Sequence, residues 1–558
     1  MMDRRVFPAL GARPQAGDRH QPTAAAPWWR SGLLYQVYVR SFADSNGDGV
    51  GDLLGVIQHL DHLAWLGVDG IWLSPITVSP NHDWGYDVAD YCDIQPEYGN
   101  LDDFDRLVSE AGRRGIRVVL DLVPNHTSSL HPWFIESRAS RNSRHRDWYV
   151  WADPKPDGSP PNNWLSAFGG PAWTLDESTG QMYLHNFAPE QPDLNWWNEE
   201  VRQAFDEIQC FWLDRGAAGF RIDVCHMVVK DQELRDNPPA RDVDGFAAQL
   251  LGQRPLYNSN QPEVHEAIRR WRRTADAYAP SALLFGETVV YDLRELAAFY
   301  GQGDELHLAL NVPLLETMFA AVDMRALIEA TERALPQDAW PVWAGSNHDV
   351  PRMASRWAQG DPRKTTLALM MLLTLRGTPL LYQGDEIGLT DTVLSREELQ
   401  DPAGLRYWPL YKGRDGARTP MPWSAQDGGG FTASGVTPWL RLGDVGDCNV
   451  ASQREERLST LNLTRDLIAL RRRTPDLQLG DYEPLQTPEE TWAWRRGERA
   501  LVALNLSDEP ARIAAAHGEI AICSNRDRDG EAVVDWLELG PQEGAVLISD
   551  QPLTTKKR

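Results

Sequence analysis

At 558 residues the chain is too long for one ordinary domain, and 42% hydrophobic with 24% charged residues describes a globular chain with ample core, not a disordered one. A net charge of −25 argues against nucleic acid or an anionic membrane as partner. The five cysteines (Cys92, Cys210, Cys225, Cys448, Cys523) are odd in number, widely spaced and free of any Cys-x-x-Cys. That pattern suits a reducing compartment better than a disulfide framework or a zinc site. The first 27 residues lack the apolar core of a signal peptide, and no window of about 18 apolar residues occurs, so a cytoplasmic chain without a membrane span is expected.

Residues 1–27 read as a disordered tail. Eight apolar, β-rich runs then recur between amphipathic helical stretches: Leu33–Arg40, Gly70–Pro75, Arg117–Pro124, Ala218–Val224, Ala282–Glu287, Leu306–Asn311, Val342–Asp349 and Thr378–Glu386. Runs of this kind imply parallel strands buried on both faces. Eight of them predict an α/β fold, a (β/α)8 TIM barrel whose site lies at the carboxyl ends of the strands. The expected barrel takes residues 28–124 and 196–477. Residues 125–195, rich in Trp, Pro, Gly and Asn, form an inserted subdomain over its mouth. From 478 to 558 short apolar runs alternate with turns, which predicts a C-terminal antiparallel β-sandwich.

Asp223, Glu287 and Asp349 sit at the carboxyl ends of the fourth, fifth and seventh runs. Cleaving a glycosidic bond with retention needs one carboxylate as nucleophile and one carboxylic acid of raised pKa to protonate the leaving oxygen. A third acid that tightens its hold on sugar hydroxyls in the transition state completes the scheme. Arg221, two residues before Asp223 on the same strand face, is placed to keep that carboxylate ionised. Beside Glu287 the sequence offers only the apolar Leu283, Leu284 and Phe285, so desolvation is expected to raise its pKa.

Six segments then arrive in order: Asp121-Leu-Val-Pro-Asn-His126, Gln191-Pro-Asp-Leu-Asn195, Gly219-Phe-Arg-Ile-Asp223, Gly286-Glu287, Asn347-His-Asp349 and Arg418-Thr-Pro-Met-Pro-Trp423. Together they resemble the α-amylase superfamily of retaining glycoside hydrolases, most nearly its α-glucosidase and oligo-1,6-glucosidase branch. Pro422 stands where that branch usually has Gln. The resemblance implies that Asp223 is the nucleophile, Glu287 the acid and then the base, and Asp349 the transition-state stabiliser. It also implies that His126 and His348 bond the hydroxyls of the first sugar and that Tyr86 lies under it as a platform. Asp83 and Arg418 are the implied clamp on the non-reducing end, which makes a pocket for exo-cleavage; Phe168, Phe187 and Gln191 are candidate walls.

The resemblance makes Val224, just after the nucleophile, a mark of α-1,6 acceptance, where Thr or Ala goes with α-1,4 preference. A methyl-sized contact is worth only about 1–3 kcal/mol, so the mark biases and does not decide. Val289 departs from the polar residue that several α-1,6 enzymes carry there, and Cys225–Pro239 differs from well-known members. The expected reaction is hydrolysis of terminal α-linked glucose from short malto- or isomalto-oligosaccharides. The competing readings are a glucosyl-transferring or isomerising relative (trehalose synthase, sucrose hydrolase or isomerase, transglucosidase) and a non-enzymatic transporter subunit. Retention of all three acids weighs against the last, and the sucrose isomerases' Arg-Leu-Asp-Arg-Asp loop is absent.

Asp44–Asp52 places oxygen-bearing residues at alternating positions, as a hard cation requires. It is not an EF-hand, because Gly55 occupies the twelfth position. The resemblance implies a structural Ca2+ (or Mg2+) on Asp44, Asn46, Asp48, the Val50 carbonyl and Asp52. No organic cofactor is expected, and the chain is expected to be a monomer or homodimer.

Overall fold

The computed structural model describes residues 26–241, 244–446, 448–515 and 517–553. The expected tail thus lies, up to residue 25, outside the described residues. Eight strands form one parallel sheet: β1 (Leu34–Val37), β2 (Gly70–Leu73), β3 (Arg117–Leu122), β4 (Gly219–Ile222), β5 (Leu283–Gly286), β6 (Leu308–Ala309), β7 (Val342–Ala344) and β8 (Thr378–Tyr382). Each pairs with its chain neighbour, β8 pairs back onto β1, and a parallel bridge between Leu310 and Val342 closes the ring. The eight expected runs are the eight barrel strands.

Side-chain alternation along these strands decides what faces inward. Leu34, Trp72, Val119, Leu283, Phe285, Leu308, Val342, Ala344 and Leu380 form one buried cluster, the floor of the barrel. Their strand neighbours Tyr35, Ile71, Val118, Leu120, Phe220, Ile222 and Leu284 belong to the larger cluster shared with the surrounding helices. The inward parity then carries on to Gln36, Asp121, Arg221 and Asp223, which are buried and polar. Gly219 opens β4 at φ +149°, and a Cβ there would overlap the backbone of Leu283, so only glycine lets β4 and β5 approach this closely.

Between β3 and β4 a three-stranded antiparallel sheet (Trp151–Ala152, Trp173–Asp176, Gln181–Leu184) carries a small core of Trp164, Trp173, Met182 and Leu184. The segment after β4 is laced to it: Asn162 Nδ2 donates to Leu234 O at 3.1 Å, and Trp164 Nε1 to Arg235 O at 2.8 Å. After the helix Thr460–Arg473 come a six-stranded and a two-stranded antiparallel sheet. They enclose Leu501, Ala503, Ile513, Leu537 and Leu547. Among the described residues no helix is long and apolar enough to cross a membrane.

Candidate active site

Arg221 is the centre of the polar layer above the barrel floor. Its Nη1 lies 2.8 Å from Asp121 Oδ1 and 2.7 Å from Asp223 Oδ1, and its Nη2 lies 2.8 Å from Glu287 Oε2. One guanidinium thus faces three carboxylates, stacked against the Trp72 ring at 5.0 Å. The sequence reading left Glu287 without a cationic neighbour; that is corrected, because β4 and β5 are adjacent and Arg221 reaches across the register. Glu287 Oε2 also accepts the Val224 N–H at 2.9 Å. Val224 is held in the left-handed region (φ +33°, ψ 46°), a strained conformation for a β-branched residue that aims its N–H at the acid.

Burial raises the Asp223 carboxyl well above the ordinary range; Arg221 opposes this, while Glu287 and Asp121 add to it. The expected contact between Arg221 and Asp223 is made and favours the ionised carboxylate, while burial and the neighbouring Glu287 and Asp121 work against it. Asp121 is likewise pushed up to about 6 by burial against the pull of Arg221. Asp349 goes the other way. Burial works against its charge, yet His348, Arg414 and Arg418 hold its carboxyl well below the usual range.

His348 is fully buried, with Nε2 3.2 Å from Asp349 Oδ2 and 2.5 Å from Tyr86 Oη. The Tyr86 ring stacks on the imidazole at 5.4 Å, and its hydroxyl also reaches Asp121 Oδ2 at 3.1 Å. His126 Nε2 lies 3.1 Å from Gln191 Nε2, and the same Gln191 amide donates to Asp83 Oδ2 at 3.1 Å. Burial lowers both histidines to about 3, so both rings are neutral at neutral pH. Phe187 packs against His126 at 5.2 Å and Phe168 against Phe187 at 5.7 Å.

The pair expected between Asp83 and Arg418 is not the one formed. Asp83 Oδ1 takes its ion pair from Arg414 Nη2 at 2.8 Å. Arg418 instead donates to the His348 carbonyl at 2.8 Å and to Asp349 Oδ1 at 3.0 Å. Arg414 also pairs with Asp401 at 2.6 Å and Asp349 at 3.2 Å, and lies over the Phe168 ring at 5.3 Å. Both arginines sit on one short segment four residues apart, and nothing in the sequence says which one faces Asp83. This side is sealed further where Tyr407 packs on Gly169, leaving no room for a Cβ at a residue with φ +84°.

Two further residues escaped the sequence reading. Lys230 is buried, with Nζ 2.7 Å from Asn125 Oδ1 and 2.9 Å from Asp193 Oδ2, so a cation from the segment after β4 ties the end of the insertion to His126's neighbour. Gln36 on β1 reaches His348 Nδ1 at 2.7 Å. A lone Lys or Gln carries no motif; only the barrel's inward parity could have singled out Gln36.

In Asp44–Asp52, Asp44 accepts from the amides of Asn46, Gly47 and Gly49 and from the Thr432 hydroxyl. Asp52 Oδ1 caps the helix Leu53–Gln58 through Gly55 N, and its Oδ2 accepts from Ser45. Among the described residues no group of three or more His, Cys, Asp or Glu side chains is arranged to hold a metal ion. A hard cation would therefore draw on the carboxylates of Asp44 and Asp48 together with Asn46 and the Val50 carbonyl. That all-oxygen donor set fits Ca2+.

Residues 36–480 match the α-amylase catalytic domain. A probable α-glucosidase of Rhizobium meliloti (strain 1021) is 44% identical over 503 residues, covering 87% of this chain and 90% of that protein. The oligo-1,6-glucosidase of Heyndrickxia coagulans is 37% identical over 523 residues, covering 86% and 92%. The crystal structure of the α-glucosyl transfer enzyme XgtA superposes with a TM-score of 0.89 at 42% identity, covering 94% of this chain and 100% of that one. A closed parallel barrel with clustered acids at its strand ends, and a family match across most of the chain, lead to one conclusion: the chain belongs to the α-amylase family and is a glycoside hydrolase.

Proposed function

We propose that the chain is a retaining, exo-acting α-glucosidase that releases terminal α-linked glucose from short malto- or isomalto-oligosaccharides. The observation that carries this reading is the shared guanidinium: Arg221 contacts both Asp223 and Glu287. Two carboxylates on one guanidinium suit the spacing of about 5–5.5 Å of a retaining pair, not the wider gap of about 6.5–9.5 Å that admits a water in an inverting one. Asp223 attacks the anomeric carbon as Glu287 gives its proton to the glycosidic oxygen, which leaves as the aglycone hydroxyl. Glu287 then takes a proton from water, whose oxygen displaces Asp223 and yields α-glucose. Asp349, kept charged by its arginines, binds the hydroxyls of the flattening ring with His348 and His126. The Asp83–Arg414 pair supports a pocket closed beyond the terminal glucose, hence exo-action on short chains.

Glucosyl transfer is the second reading, favoured by the likeness to XgtA: an acceptor hydroxyl replaces water in the second step. The odd number and wide spacing of the five cysteines support the reading of a cytoplasmic protein. The test has two parts. Proton NMR of freshly released glucose is expected to show the α anomer first, and β-glucose first would overturn retention. kcat/KM on maltose and isomaltose, measured side by side, then assigns linkage: isomaltose preference supports Val224 as selector, and maltose preference makes the enzyme a maltase-type α-glucosidase. Silence on both would overturn the substrate class.

A further inference from the structure

We propose that Gln36 is a positioning residue that fixes the tautomer of His348, so that the ring presents an Nε2–H toward Asp349 and the sugar. The proposal rests on the reading of His348 as a contact to the substrate. Gln36 lies on β1 with no exposed surface, and its Nε2 is 2.7 Å from His348 Nδ1 and 3.3 Å from Ser74 Oγ. A neutral imidazole carries one hydrogen, and which nitrogen holds it is set by the partner of the other. An amide N–H donated to Nδ1 leaves that nitrogen a lone pair and puts the hydrogen on Nε2.

The surroundings agree with this direction. Nε2 faces the Asp349 carboxylate at 3.2 Å, and Arg414 and Arg418 both bond that carboxylate. With the amide reversed, Gln36 Oε1 would accept from Nδ1–H, and a bare Nε2 lone pair would face a carboxylate. In the direction proposed, Tyr86 Oη accepts or shares the Nε2–H and is free to donate onward to Asp121 Oδ2 at 3.1 Å. The ring itself cannot turn to choose another partner. It is stacked with Tyr86 at 5.4 Å on a near-parallel plane and with Tyr38 at 5.8 Å, while Trp72 meets it edge-on at 5.9 Å. Packing fixes the ring plane and Gln36 fixes the proton.

A stability role does not explain the residue. Among the described residues Gln36 Oε1 is buried without a hydrogen-bond partner, an arrangement that costs stability. An apolar side chain of the same length would fill the space without that penalty.

The test uses Gln36→Met, similar in length and without a donor, and Gln36→Glu, which accepts from Nδ1–H and selects the opposite tautomer. Imidazole 15N shifts of the resting enzyme are read first, with His348→Asn assigning the signal. kcat and KM on p-nitrophenyl α-glucoside and Tm follow. The expected wild-type ring carries its hydrogen on Nε2; Gln36→Met gains the Nδ1–H form, and Gln36→Glu adopts it. kcat falls about 10- to 100-fold in Gln36→Met and further in Gln36→Glu, while the Tm of Gln36→Met holds or rises as the orphaned carbonyl is lost. An unchanged ring signal in both variants overturns the proposal. A switched tautomer with unchanged kcat overturns the positioning role and, with it, the contact of His348 with substrate. An enzyme inactive on every α-glucoside would defeat the proposed function, yet the 15N signal, taken without substrate, would still decide the tautomer.

Discussion

Arg414 Nη2 lies 2.8 Å from Asp83 Oδ1, an ion pair that joins the segment after β8 to the segment after β2. The same guanidinium holds Asp401 and reaches Asp349, so its removal leaves the buried Asp83 and Asp401 and the part-exposed Asp349 with Arg418 as the remaining cation near at hand. Breaking such a pair costs about 3–5 kcal/mol, because the partner charge stays buried. Arg414→Ala is therefore expected to lower kcat/KM on disaccharides by at least about 100-fold. Arg414→Lys recovers little of it, since one ammonium cannot replace a planar fork that reaches three carboxylates. Steady-state kinetics within threefold of wild type would reduce the pair to packing.

Asp223→Asn and Glu287→Gln are each expected to lower kcat at least about 1000-fold, one removing the nucleophile and the other the acid. The stability of Asp223→Asn carries a further prediction. The folded pKa of Asp223 is raised above its unfolded value, so its charged form costs stability that is lost as pH rises through the window between the two. Asp223→Asn removes that cost. Its Tm should exceed wild type at pH 7, and the gain should shrink at pH 4. A lower Tm at pH 7 would show that the bond to Arg221 outweighs the burial of the charge.

The barrel was legible because its signal is local: buried parallel strands are apolar runs of fixed length, and each of the eight runs carries its own. The three acids were legible because each sits at the carboxyl end of such a run, so that strand direction alone sends them to one mouth. Electrostatic partnership beyond neighbours on one strand was not legible. Arg221 was read as the partner of Asp223, two residues away on β4, but its contact with Glu287 crosses to β5 and depends on register. Arg414 and Arg418 share one short segment, and a turn between them sends one to Asp83 and the other to Asp349. Lys230 acts through Asn125 and Asp193, residues distant in sequence that meet only in the folded chain.

Lys230 predicts a coupling between the insertion and catalysis. Burial lowers its pKa against the pull of Asp193, and the same burial raises that of Asp193, so each depends on the other for compensation. Lys230→Met leaves Asp193 buried and unpaired, a loss of about 3–5 kcal/mol. Thermal unfolding should move down by several degrees, and KM should rise as Asn125 releases His126. Lys230→Met with Asp193→Asn should recover most of the stability; a double variant no better than the single would refute the pairing.

Histidines largely withdrawn from water make the fold sensitive to acid. His307 Nδ1 accepts the Leu284 N–H at 3.0 Å, a bond that protonation of that nitrogen abolishes, and burial lowers its pKa to about 3. The unfolded chain binds this proton near pH 6.5. Between about 6.5 and 3 the unfolded state therefore holds more protons than the folded one, and stability falls as pH falls. His307→Asn keeps an acceptor and cannot be protonated. Its Tm should fall less than that of wild type between pH 7 and pH 5, and equal slopes would exclude His307 as a contributor.

The loop Asp44–Asp52 is the last place where removal of a ligand gives a clear sign. Its oxygen-bearing residues alternate along the sequence, the pattern a hard cation requires, and Asp44 is tied by its bond to Thr432 to the segment beyond the barrel's last strand. A cation bound only in the folded state raises stability by mass action. EDTA is therefore expected to lower Tm, and added Ca2+ to restore it more fully than Mg2+, whose smaller shell demands a stricter octahedron. The initial rate at 25 °C should change little, because none of these residues contacts Asp223, Glu287 or Asp349. Asp48→Ala should remove the Ca2+ response while leaving kcat near wild type. A Tm indifferent to both EDTA and Ca2+ would make the loop a hydrogen-bonded turn and nothing more.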